Sequence, residues 1–116
     1  MQAAEIGDPF STRAQHEVIG VAKQDVRAEI DRIDQALLRL FAERHSYVTR
    51  MAELKANLDE VQAPERIAEV ISRLRGMADE LDMDSDQAET IWRTLIDWNI
   101  AYEKNIISAR KSKQEA

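Results

Sequence analysis

No cysteine occurs in the sequence, so disulfides and thiolate chemistry are excluded. Two histidines, His16 and His45, are too few and too far apart for a convincing metal site, and nothing in the composition asks for a cofactor. No run approaches the roughly 18 apolar residues that a membrane span requires. The opening stretch MQAAEIGDPFSTR lacks the basic start and apolar centre of a signal peptide. A cytoplasmic protein is expected. Positive charge is in the minority, 16 basic side chains against 22 acidic for a net charge of −6. That balance argues against nucleic acid or an anionic membrane as partner, and any anionic ligand would need a local cluster of cations.

Glycine and proline are also scarce, three and two in 116 residues, and neither occurs from Val21 to Ala63. One very long helix over that span is the economical reading. Pro64 then opens a second helix, because proline is well tolerated in a first turn. Its apolar positions Ile67, Val70, Ile71, Leu74 and Ala78 share one face. The segment LDMDSD introduces a third helix, with Asp84 or Ser85 as N-cap and Gln87 as capping-box partner. Its buried stripe runs Trp92, Ile96, Asn99, Glu103 and Ile106 or Ile107. The expected fold is therefore all-α, with one long and two shorter helices. A leader covers residues 1–20, a helical domain residues 21–110 and a tail residues 111–116. Elongated helices in so short a chain leave apolar surface uncovered, which favours self-association.

Counting by sevens along the long helix gives two series, Ile30, Leu37, Arg44, Met51, Leu58 and Val26, Ile33, Leu40, Tyr47, Leu54. Every member is apolar or aromatic except Arg44. A structural reading makes Arg44 a register-fixing polar residue, Asn99 and Glu103 a satisfied core network, and Arg27 and Lys55 solvated edge charges. A binding reading requires that these residues meet. Arg44 and Lys55 lie about 16 Å apart on nearly the same helix face, so their long side chains can converge on a small molecule. Arg27 and Lys55 are separated by about 42 Å along a helix and cannot do so within one chain. If two copies of the long helix pack antiparallel about Leu37 or Leu38, Arg27 of one reaches the level of residues 47 to 49 of the other.

The stretch VRAEIDRIDQALLRLFAERHSYVTRMAELK, followed by APER and by Asn99 and Glu103 on the third helix, resembles the all-helical chorismate mutase family over residues 22 to 108. The resemblance implies an intertwined homodimer, a six-helix bundle with two active sites and no metal or cofactor. It assigns Arg27 of the partner subunit, Arg44 and Arg66 to the two carboxylates of chorismate. It assigns Lys55 to a carboxylate and the ether oxygen of the breaking bond, and Glu103 to a second donor at that oxygen. Asn99 stands where the pattern has serine and keeps hydrogen bonding. Ala63 and Ile67 stand where it has acids that hold the ring hydroxyl, and Glu103 replaces the usual glutamine.

Those departures raise a second reading within the same fold. APERI and IDWNIAYE resemble the isochorismate pyruvate lyase subgroup, where an apolar residue also follows the arginine. A further alternative is a non-catalytic helical dimerisation module. A carboxylate at Glu103 would repel the developing charge on the ether oxygen, and only its protonated form can donate to it. Turnover is then expected to fall as pH rises.

Overall fold

The computed structural model describes residues 19–115, with side chains described from residue 22 to 114. Among these residues are three α-helices and no strand: α1 Ile19–Leu54, α2 Pro64–Glu80 and α3 Ser85–Glu115, with a 3₁₀ turn at Leu58–Glu60 between α1 and α2. The expected leader lies outside the described residues, apart from Ile19 and Gly20, the first positions of α1. No described helix is long and apolar enough to cross a membrane.

The long helix is 36 residues and stops at Leu54, short of the continuous span to Ala63 that the absence of glycine and proline predicts. The reason is local. The Asn57 side chain accepts from the Asp59 N–H at 3.0 Å, and Glu60 Oε2 accepts from the Ala56 N–H at 2.7 Å. Polar side chains thus offer the backbone partners that compete with helical ones. Pro64 restarts the helix where the sequence places it, and the Ile67 N–H closes the first turn on Ala63 O at 2.9 Å.

The end of α2 is fixed without a glycine. Asp82 takes φ 57°, a left-handed conformation that aspartate tolerates better than most side chains. Met83 N–H then reaches Ala78 O at 2.8 Å and Asp82 N–H reaches Asp79 O at 3.2 Å, the paired bonds of a Schellman cap. Asp84 Oδ1 next accepts from the N–H groups of Asp86 (2.8 Å) and Gln87 (3.3 Å), capping α3.

The chain divides into two units, Met1–Glu43 and Arg44–Ala116. In the second, α2 packs on α3. Its buried apolar residues are Ala52, Val61, Ile71, Ala78, Ala88 and Ile107, and no large side chain is fully buried. Burial of Ile71 and of Ile107 contributes about 1.5–3 kcal/mol each. Arg75 fastens α2 to the start of α3: its guanidinium donates to Asp86 (2.9 Å), Glu89 (2.8 Å) and Ser85 Oγ (3.1 Å). Tyr102 ties α3 to α1 through a 2.7 Å hydroxyl contact with Thr49 and stacks on Trp98.

The seam found by counting sevens is largely exposed in the single chain. In the first unit Ile30 is 46% and Leu40 62% exposed; in the second Tyr47 is 68% and Leu54 62% exposed.

Candidate active site

The second unit contains a pocket of about 330 Å³ between the end of α1, the loop after it, the start of α2 and the middle of α3. Its polar lining is Arg44, Lys55, Arg66, Asn99 and Glu103. Ala63 and Ile67 join Val61, Val70, Ile96 and Ile100 in an apolar wall. Seven of the eight site residues expected from the sequence therefore border one cavity. The eighth, Arg27, is an exposed residue of the other unit.

Helix periodicity explains the assembly. Arg44, Tyr47, Val48 and Met51 recur at steps of three and four along α1, with Lys55 four residues on, just past its end, and Ile96, Asn99, Ile100 and Glu103 do so along α3, so each set forms one stripe. The break at Asn57 turns the chain so that Val61 and Ala63 close the wall before α2 presents Arg66, Ile67 and Val70.

At the centre, Lys55 Nζ donates to Glu103 Oε1 at 2.7 Å, with the two side chains 18% and 10% exposed. A buried carboxylate without a partner carries a large desolvation cost, and Lys55 supplies that partner. Arg66 is held differently: its guanidinium donates to Glu69 at 2.6 Å, and both side chains are well exposed. Arg44 is half-buried on the α1 stripe. Counting the lining alone gives three cations against one carboxylate, a local excess of positive charge in a chain whose net charge is −6. Such a pocket suits an anion with more than one negative group and an apolar body.

One contributor was not read from the sequence. Arg110, on α3, donates to the carbonyls of Ala52 (3.4 Å), Glu53 (3.3 Å) and Lys55 (2.9 Å). Its spacing of one heptad from Glu103 was the available signal, but it sits in the basic stretch ARKSK, where a cation draws no attention.

Residues 26–104 match the family described as Chorismate mutase type II. A chorismate mutase of Methanocaldococcus jannaschii is 32% identical over 92 residues, covering 78% of this chain and 93% of that protein. An isochorismate pyruvate lyase of Pseudomonas aeruginosa is 32% identical over 77 residues, covering 66% of this chain and 76% of that protein. Matched over most of its length and helical throughout the matched residues apart from short turns, the chain belongs to the chorismate mutase type II family.

Proposed function

We propose that this protein rearranges chorismate to prephenate. The observation that carries the reading is the pocket's charge: Arg44, Lys55 and Arg66 line it with a single carboxylate, Glu103, an excess of cations that matches a dicarboxylate bound against an apolar wall. The reaction breaks a carbon–oxygen bond as a carbon–carbon bond forms within one substrate, so it needs neither nucleophile nor cofactor. Holding the dianion in its compact conformer removes unproductive geometries. Fixed donors at the ether oxygen stabilise the negative charge that develops there. Arg44 and Arg66 offer bidentate carboxylate recognition, Asn99 a hydrogen bond, and Lys55 a donor to the ether oxygen.

Glu103 completes that pair of donors only when protonated. Its carboxylate accepts from the Lys55 ammonium at 2.7 Å. Substrate entry separates the two, and Lys55 turns to the ether oxygen.

The working form is a homodimer, an intertwined six-helix bundle in which Arg27 of the partner subunit joins each site. The exposed seam of α1 supports this, because Ile30, Leu37 and Leu40 in the first unit, and Tyr47, Met51 and Leu54 in the second, are large apolar side chains left open in the single chain.

A second reading, an isochorismate pyruvate lyase giving salicylate and pyruvate, is favoured by Ala63 and Ile67, which leave the pocket wall apolar where acids would hold the ring hydroxyl of chorismate. Assaying both substrates separates the two. Prephenate from chorismate supports the mutase; salicylate from isochorismate with negligible prephenate supports the lyase. A dimer that converts neither would be a dimerisation module.

A further inference from the structure

We infer that Arg110 is a positioning residue that sets the height of Lys55 in the pocket. This inference rests on Lys55 acting in the proposed reaction. Lys55 is the first residue beyond α1, and its N–H makes the last helical bond there, to Met51 O at 3.0 Å. The next N–H, of Ala56, turns away to Glu60 Oε2. The carbonyl of Ala52 thereby loses its helical donor, and the carbonyls after it meet the same shortage that every helix C-terminus faces. No basic residue lies in the last turn of α1 to meet it.

Arg110 meets it from another helix. Nη2 donates to Lys55 O at 2.9 Å, while Nη1 reaches Ala52 O at 3.4 Å and Glu53 O at 3.3 Å. A cation at this end also opposes the helix dipole. Glu103 and Arg110 are seven residues apart on α3, about 10 Å along the axis and on nearly one face. Lys55 is thus held twice by one helix, its ammonium by Glu103 and its carbonyl by Arg110. The Glu103 contact must be surrendered when substrate arrives. The Arg110 contact lies outside the pocket lining and survives, so it keeps the Lys55 backbone in place while the side chain changes partner. Lysine could serve one carbonyl from that position; only the guanidinium fork spans three.

The test compares Arg110→Ala, Arg110→Gln and Arg110→Lys with wild type in the full dimer, using whichever of the two substrates wild type converts. Arg110→Ala is expected to lose about ten- to a hundredfold in kcat, the scale of a misplaced reacting group, with KM moving by less than about threefold. Arg110→Lys should fall between it and wild type. Amide hydrogen exchange of residues 53 to 60 in the unliganded protein should accelerate in the same order. Should Arg110→Ala fail to fold, Arg110→Gln and Arg110→Lys give the same comparison. A kcat within about twofold of wild type, a loss confined to KM, or unchanged exchange in a folded variant overturns the assignment. If wild type converted neither substrate, the functional reading would fall alone, and exchange, which needs no turnover, would still decide for or against Arg110.

Discussion

Lys55 and Arg75 are each gripped by carboxylates of α3, but in different solvents. Lys55 and Glu103 are 18% and 10% exposed, whereas Asp86, one partner of Arg75, is 85% exposed. Glu89 is less open, yet it divides itself between Arg75 and Arg93. An ion pair near the surface is screened and adds little stability. A buried pair costs about as much in desolvation as it gains, so stability alone is a weak reason to keep one. The Arg75 cluster fastens a turn. The Lys55 pair lines a pocket that holds two further cations, Arg44 and Arg66, which is the arrangement that the proposed ligand site requires.

The largest effect that separates the two clusters should come from Lys55→Ala. Loss of a donor aimed at developing negative charge typically costs about 10²–10³ in kcat. The fold should survive, because Arg44 and Arg66 line the same pocket and leave Glu103 in a cationic surrounding. Far-UV circular dichroism and sedimentation check the fold; steady-state kinetics check the loss. Unfolding on this substitution, in a protein without activity, would turn the pair back into a structural one.

Next is the proposal that each site is shared between two copies. Neither Arg27→Ala nor Arg44→Ala should be active alone. If each site takes Arg44 from one chain and Arg27 from the other, an equal mixture refolded together forms heterodimers in half of the dimers, each with one intact site, and recovers roughly a quarter of wild-type activity. No recovery from a mixture shown to contain heterodimers would remove Arg27 from the site.

Glu103→Gln should produce a smaller change. A carboxylate beside the ether oxygen repels the charge that develops there, whereas a glutamine amide donates to it, so the variant should keep at least wild-type kcat. Glu103→Leu, which offers no donor, should fall below both. Steady-state kinetics on the three proteins measure the order, and a Gln variant no better than the Leu variant would exclude the donor role.

How much of this was legible depended on how local the cause was. Pro64 and Asp84 act on backbone within a few residues, and both helix starts could be read. Asn99 and Glu103 interrupt a periodic stripe, and periodicity is enough to mark them as buried polar residues, 7% and 8% exposed. Asn57 also acts locally, but its side-chain bond to Asp59 competes with a helix that composition favours, and the outcome of that competition is a packing matter. Asp82 closes α2 in a conformation for which glycine is the usual signal. Arg110 was beyond reach for a different reason. Its acceptors are main-chain carbonyls 55 to 58 positions away, and a carbonyl has no residue identity to recognise. The exposed seam marks the same limit, since periodicity shows that a face wants cover without showing what covers it.

The smallest effect belongs to the Arg75 cluster and concerns stability alone. Arg93 first, then Arg75, holds the Glu89 carboxyl below the ordinary carboxylate range, against an opposing push from burial. Its folded value thus lies under its unfolded one. The stabilisation is fully present above the unfolded value and disappears as pH falls through the folded value. At neutral pH, Glu89→Gln should melt slightly below wild type with kcat unchanged, since Glu89 is not part of the pocket lining. On acidification the wild-type advantage should narrow and then vanish, because protonated glutamate and glutamine are close in shape and charge. Thermal melts across the acid range measure that gap directly. A gap that stays constant down to the lowest pH would mean that shape, not charge, accounts for what Glu89 contributes, and the contrast with Lys55 would then rest on the activity data alone.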